Sequence, residues 1–269
     1  MQMSVGYNYV HALRIHYFGN ANAAPNGTLP DGKQALTLAD PNFGFAFLDS
    51  PDAKSIYHAG FLTFNKRFKN HYSVMANYTW SKSIDNQTTI QFATGPQNYL
   101  RRDLEHGISD NHVPHRFILT ALGDSPFHNA AVKDWSLALT ATVQSARYQS
   151  VLVGFDSNGD GFPFSDRVGL LGRNTYRGDA FRDFNIRMQR AFPFEISQHS
   201  VKMAFSCEIF NLLNRVNVLD VDNIYAAPDF IGAVPQHYGD GVQGAQPGFG
   251  LPRSVSDMRQ LQFSLRLSF

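Results

Sequence analysis

The feature that most constrains the fold is a strict alternation of apolar and polar residues over positions 261–269. Every second residue of this stretch is apolar: Leu261, Phe263, Leu265, Leu267 and Phe269. A period of two is that of a β-strand whose two faces meet different environments. In water, an exposed apolar strand of this kind would invite aggregation. In a transmembrane β-barrel, one of its faces would meet lipid and the other would meet the lumen.

The same reading predicts seven further strands in the chain. They are expected at about 3–9, 56–68, 72–80, 115–122, 135–144, 181–192 and 201–209. Long loops are predicted over about 16–53, 81–114, 150–178 and 213–256, and short turns over 69–71, 123–134 and 194–199. Long and short connections that alternate are typical of outer-membrane barrels, with short periplasmic turns and long extracellular loops. We therefore predict an all-β, antiparallel transmembrane barrel.

Composition excludes several other classes of protein. Charged residues make up only 17% of the chain, and the net charge of +1 argues against a nucleic-acid partner. A single cysteine, Cys207, cannot form an internal disulfide. The N-terminal residues show neither the basic nor the apolar region of a signal peptide. We therefore expect residues 1–269 to be the C-terminal portion of a barrel, without a plug domain or a signal peptide.

Several stretches of the sequence, in this order, resemble one family of outer-membrane proteins. They read NYTWSKSID at 77–85, SDNHVPHRF at 109–117, GRNTYRG at 172–178 and EIFNLLN at 208–214, followed by the stretch 252–269. Together they resemble the C-terminal barrel region of TonB-dependent outer-membrane receptors. The resemblance is to the Oar-like group, whose members carry a carboxypeptidase-regulatory-like N-terminal domain.

The resemblance implies a fold, a location and a set of partners. Such receptors are 22-stranded barrels filled by a plug, and about eight strands here would form the last part of one. The family implies ligand uptake or surface transport, with TonB contacted only through an N-terminal region that this sequence lacks. Outer-membrane lipid and the barrel-assembly machinery are the other expected partners, and Phe269 matches the position of the assembly signal. The ligand stays unknown.

One loop motif suggests a metal ion. Asp156, Asn158 and Asp160, followed by Gly161, match the start of a Ca²⁺ loop. Oxygen side chains at alternate positions and a glycine for the sharp turn suit a hard cation. Position twelve is Arg167, however, where an EF-hand requires a bidentate glutamate. A polar turn without an ion is the competing interpretation.

Five charged residues fall on the polar faces of the last three predicted strands. They are Asp183, Arg187, Lys202, Glu208 and Arg266. A charge on the lipid face costs about 2–4 kcal/mol at the bilayer midplane, so these positions are expected to face the lumen. Either they guide a solute, or they form cross-strand ion pairs that contact a plug.

The sequence shows no catalytic set, and we expect the protein not to be an enzyme. Ser, His and Asp are present, but the Gly-x-Ser-x-Gly nucleophile elbow is absent. Two alternatives to the receptor stay open. One is a free-standing eight-stranded outer-membrane protein with a structural or adhesive role. The other is a soluble β-sandwich that binds carbohydrate through its loops.

Overall fold

The computed structural model describes residues 1–87, 96–129, 131–162, 165–196, 199–225 and 247–269. Within them, eight long strands form one antiparallel path, and each pairs with the next along the chain. These wall strands are β1 (Gln2–Asn20), β2 (Phe47–Lys69), β3 (Tyr72–Asp85), β4 (His115–Asp124), β5 (Trp135–Gln144), β6 (Phe181–Ile196), β7 (His199–Phe210) and β8 (Gln260–Ser268). Each contains or largely overlaps one predicted strand, so the all-β antiparallel prediction is confirmed.

Strands β1 and β2 extend far beyond the predicted segments. They span 19 and 23 residues, about twice the ~9–11 that a tilted strand needs to cross a membrane. Their pairing continues until Asn20 lies opposite Phe47, with register shifts beside Arg14. The loop predicted over 16–53 is therefore wrong at both ends. The residues there are polar because neither side of these outer strand segments meets lipid. The backbones of the two strands still pair.

The other predicted loops also contain short elements near their bases. Pairs of short strands join Ala23–Thr28 with Gln34–Leu38, Tyr148–Gln149 with Tyr176–Arg177, and Val218–Val221 with Pro252–Val255. The strand Gly107–Ile108 pairs with the end of β3, and a 3₁₀ helix covers Arg102–Glu105. Parts of the predicted loops, at 88–95, 163–164 and 226–246, lie outside the described residues. In the described part of the chain, no helix has the length and apolarity to cross a membrane.

The short connections lie at the opposite end of the sheet from the long ones. Asn70 and His71 join β2 to β3 with φ values of 56° and 69°, the positive φ pair of a type I′ hairpin turn. The turn predicted over 194–199 is too long, because β6 continues until Ile196 lies opposite His199. Positions 197–198 between these strands lie outside the described residues. We call the two ends of the sheet the short-turn end and the long-loop end.

The strand register aligns apolar residues on one face of the sheet. One continuous row of partners crosses β1 to β6 through Met3, Phe64, Ala76, Leu119, Ala141 and Phe184. A second row crosses β3 to β8 through Val74, Ala121, Leu139, Ile186, Ile209 and Leu261. This apolar face therefore extends across all eight strands.

The opposite face of the sheet is mainly polar. One row of partners there crosses β1 to β6 through Ser4, Thr63, Asn77, Ile118, Thr142 and Asp183. Side chains on this face bond across strands: the Thr63 hydroxyl donates to Asn77 Oδ1 at 3.0 Å, and the Ser206 and Ser264 hydroxyls lie 2.5 Å apart. The two faces thus differ as the walls of a membrane barrel do.

Large apolar side chains of the wall are exposed, and the buried core lies among the loops. Leu137, Phe205 and Phe263 are 47%, 41% and 63% exposed. Val151, Val153 and Val168, all from one long loop, are at most 2% exposed and form a core cluster with Tyr225. A soluble β-sandwich would bury the apolar face of its sheet against a second sheet. The exposed apolar face therefore contradicts the soluble alternative and suits lipid contact.

Two basic residues on the apolar face lie near the short-turn end and find local partners. Lys66 donates to the backbone carbonyls of Lys69 and Tyr72 at 2.8 and 2.9 Å. Arg190 lies over the rings of Trp135 and Phe192, at 5.8 and 5.1 Å from their centroids. Such snorkelling contacts, together with interfacial aromatic residues, mark the membrane boundary.

Substitutions at adjacent positions of β5 test the assignment of the two faces. Leu139→Arg places a charge on the apolar face and should destabilise the inserted protein by about 2–4 kcal/mol. Thr140→Arg is the matched control, because its side chain lies on the polar face, and it should cost much less. Urea unfolding in lipid vesicles measures both variants. Equal losses in the two would contradict the face assignment.

Candidate functional site

The five predicted lumen charges all lie on the polar face of the sheet. Arg187 pairs in register with Glu208, and the Arg187 Nε lies 3.3 Å from Glu208 Oε1. Asp183 accepts a hydrogen bond of 2.7 Å from the Asn185 side chain. Lys202 and Arg266 are exposed, and their register partners on the neighbouring strands include Ser268 and Ala204. The structure thus joins one of the predicted charges to another as a cross-strand ion pair.

A cleft of about 500 Å³ opens at the long-loop end of this polar face. Arg116, Thr142 and Asp183 contribute from wall strands, and Arg147 and Asp220 contribute from the loops. The cleft therefore presents both signs of charge beside backbone and amide groups. This combination suits a polar solute rather than an apolar one.

Phe269 follows the last residue of β8 and is fully exposed. The neighbouring apolar residues of β8, such as Leu265 and Leu267, are exposed as well, at 63% and 57%. No packing contact within the described residues therefore explains an aromatic residue at this position. Its predicted role as an assembly signal stays a prediction.

The long loops and the outer halves of β1 and β2 pack together into what we call the cap. Tyr17 of β1 is fully buried, and its ring lies 5.9 Å from that of Tyr99. The Arg102 guanidinium lies 4.9 and 4.7 Å from the centroids of these two rings. Burial raises the pKa of Tyr17. The chain segments that the sequence separates as different loops thus form one packed unit.

Three buried ion pairs hold the cap together. Arg167 donates from Nη1 to both carboxylate oxygens of Glu105 at 3.0 Å, and Arg173 donates to Asp85 Oδ1 at 2.8 Å. The Lys33 ammonium lies 3.0 Å from Asp31 Oδ2. All six side chains are at most 6% exposed. Breaking a buried pair by removing one partner leaves an uncompensated charge, which is strongly destabilising.

Sequence reasoning missed these ion pairs because their partners are distant along the chain. Arg167 and Glu105 are 62 positions apart, and Arg173 and Asp85 are 88 positions apart. The only local signal was the concentration of charged residues at 101–105 and 166–173 in a chain with few charges. Arg167, which the sequence placed where a Ca²⁺ ligand is expected, binds the 3₁₀ helix instead.

The predicted Ca²⁺ loop lies inside the cap as a tight turn. Asp156 accepts from the backbone amides of Gly159, Asp160 and Gly161 at 2.7, 3.2 and 2.8 Å. Gly159 and Gly161 have φ values of 85° and 90°, which side chains other than glycine adopt with strain. A Cβ on Gly159 would lie 2.4 Å from the Leu36 carbonyl oxygen. Glycine is therefore required by both the backbone and the close packing.

Asn158 and Asp160 are both buried in this turn. The Asn158 side chain donates to the Gln97 carbonyl oxygen, and its Oδ1 accepts from the Asp160 amide at 2.9 Å. Desolvation raises the pKa of Asp160 to about 8, with a further contribution from the nearby carboxylates of Asp166 and Asp156. In the described residues, no three His, Cys, Asp or Glu side chains converge as a metal-ligand set. The prediction of a Ca²⁺ ion bound by Asp156, Asn158 and Asp160 stays a prediction.

An exposed apolar face, an opposite polar face, and alternating short and long connections define an outer-membrane β-barrel. A family model described as an outer membrane beta barrel domain matches residues 1–169. The chain belongs to this family, and its location is the outer membrane. A search of curated proteins and a search of solved structures found no match.

Substitutions of two acidic residues of the 3₁₀ helix test whether buried ion pairs stabilise the cap. Glu105→Gln leaves Arg167 buried beside a neutral side chain and should destabilise the cap by roughly 3–5 kcal/mol. Asp103→Asn is the matched control. Its pair with Arg101 is more than half exposed, so solvent screens it and its loss should leave the stability of the cap nearly unchanged.

Hydrogen exchange of the cap amides, measured on the protein in detergent, reads out both variants. Faster exchange should be confined to the cap in Glu105→Gln and absent in Asp103→Asn. Exchange rates in Glu105→Gln that match the wild type would show that the Arg167–Glu105 pair does not hold the cap.

Proposed function

We propose that this chain forms part of the wall of a TonB-dependent, Oar-like receptor that takes up a ligand across the outer membrane. The observation that carries the proposal is the open sheet. Strands β1 and β8 stand at the two ends of the path, and neither pairs with the other. A free-standing eight-stranded barrel would close through that pair, because closure alone removes the edges of a sheet. The open edges favour a wall that continues with further strands.

A receptor function requires a barrel that is wide enough to hold a plug and to pass a solute. An eight-stranded barrel has an interior just wide enough for its own side chains, whereas a 22-stranded one encloses a plug. The polar face here carries charged residues and the cleft of about 500 Å³ at the long-loop end. In the proposed receptor this end faces the exterior and receives the solute. TonB would act through a plug and an N-terminal segment, and the chain itself has no enzymatic role.

Cross-linking between wall strands tests the larger barrel. Met188 lies opposite the native Cys207 in the register of β6 and β7, so Met188→Cys should cross-link efficiently to it. In a Cys207→Ala background, Met3→Cys on β1 should fail to cross-link to Leu261→Cys or to Leu267→Cys on β8. A reagent that reaches about 10 Å spans neighbouring strands, which lie ~4.8 Å apart.

The Met188–Cys207 pair serves as the positive control, because it reports that the reagent enters the membrane and that the wall is folded. Efficient linkage of β1 to β8 in the second set would show an eight-stranded closure. Such a barrel has no room for a plug or a solute, so this result would remove the receptor proposal and leave the free-standing structural protein.

We also propose that Phe269 is recognised by the barrel-assembly machinery, as the family resemblance implies. Deleting Phe269 should reduce the amount of protease-resistant protein in the outer membrane several-fold. Ser268→Ala is the matched control, and its assembly should equal that of the wild type. Because the Phe269 side chain is fully exposed, its loss removes no packing contact from the folded protein. Normal assembly of the deletion variant would contradict this role.

A further inference from the structure

The buried part of the cap contains more acidic residues than basic ones. Among the described residues of the cap, five buried carboxylates face three buried cations. The cations are Lys33, Arg167 and Arg173, and their ion pairs account for Asp31, Glu105 and Asp85. Asp160 and Asp166 are left over, and each is only 1% exposed. A buried carboxyl group outside any ion pair either keeps its proton, as the raised pKa of Asp160 favours, or binds a cation.

In each of these two carboxylates, one oxygen accepts hydrogen bonds and the other accepts none from the described residues. Asp160 Oδ1 accepts from the Phe162 amide at 2.8 Å. Asp166 Oδ2 accepts from the amide and the hydroxyl of Ser157 at 2.5 and 2.7 Å, and from the Asn158 amide at 2.9 Å. Asp160 Oδ2 and Asp166 Oδ1 are buried and have no hydrogen-bond partner in the described part of the chain.

We propose that a Ca²⁺ ion binds in the cap to the free carboxylate oxygens of Asp160 and Asp166. A divalent ion would neutralise both carboxylates after they lose their protons. Ca²⁺ takes six to eight oxygen ligands in flexible geometry, so backbone carbonyls and water would complete the shell around two side-chain ligands. Of the three ligands that the sequence motif suggested, this site keeps only Asp160, because Asp156 and Asn158 use their oxygens to fix the turn.

The turn that carries Asp160 is attached to two other segments of the cap. The Asn20 side chain at the end of β1 donates to the Asp160 carbonyl oxygen at 3.0 Å. The Leu36 amide, from the strand Gln34–Leu38, donates to the Asn158 carbonyl oxygen at 2.6 Å. An ion that holds the Asp160 and Asp166 segments together would therefore also hold the turn against β1 and its hairpin. We therefore predict that Ca²⁺ stabilises the folded cap. This role does not depend on the size of the barrel.

The direct test is Ca²⁺ binding and cap protection in the wild-type protein. Equilibrium dialysis of the full chain in detergent with radioactive Ca²⁺ should give one ion per chain, with a Kd on the order of 10⁻⁴–10⁻³ M, as in extracellular modules. At a Ca²⁺ concentration of 100 times the Kd, the open population of the cap should fall about 100-fold relative to EGTA. Protease cleavage of the cap should slow by the same factor. No binding at 10 mM Ca²⁺ would overturn the proposal.

Variants separate an ion site from a purely structural turn. Asp160→Asn and Asp166→Asn each replace a carboxyl group that needs a proton or a cation with a neutral amide, so their caps should resist protease in EGTA at least as well as the wild type. Their protection by Ca²⁺ should be lost. Asp103→Asn, an exposed position of the same cap, should keep the full Ca²⁺ response. If the Asp160 and Asp166 variants keep a wild-type response to Ca²⁺, the proposal is wrong; if they fail to assemble, the wild-type dialysis decides it.

Discussion

The whole wall depends on the pairing of backbone groups between neighbouring strands. Within lipid, no water is present to satisfy a free N–H or C=O, so strands can cross only when they pair with each other. The same pairing fixes which side chains meet lipid, because a slip of one residue would move every side chain to the opposite face. The rows through Phe64 and Leu139 show the consequence: one register keeps the apolar face continuous over eight strands.

In the cap, apolar side chains lie inside, whereas in the wall they face outward. There the apolar side chains are inside, as Tyr17 and Val153 show, and buried ions such as Arg173 are paired. Strands β1 and β2 connect the two regions, since their inner halves belong to the wall and their outer halves belong to the cap. The chain therefore combines a cap whose apolar side chains are buried, as in a protein folded in water, with a wall whose apolar side chains face outward.

The sequence predicts the wall well and the cap poorly, for one physical reason. In a wall strand such as β5, alternation is a local pattern that two environments impose on neighbouring residues. In the cap, strand pairing continues without two environments, so the outer part of β1 around Tyr17 carries no period of two. The partners of Arg167 and Arg173 come from distant segments, which a local pattern does not identify. The Asp156 motif gave the correct turn, but the free carboxylate oxygens belong to Asp160 and Asp166, which no local motif joins.

Lipid contact on one face of the wall is the central claim, and a scan of spin labels along β8 tests it most directly. A label at each position from 261 to 268 reports collisions with oxygen, which is enriched in lipid, and with a water-soluble nickel complex. We predict a period of two, with high oxygen accessibility at Leu261, Phe263, Leu265 and Leu267. The intervening positions should instead favour the nickel complex. Uniform accessibility along the strand would contradict the account.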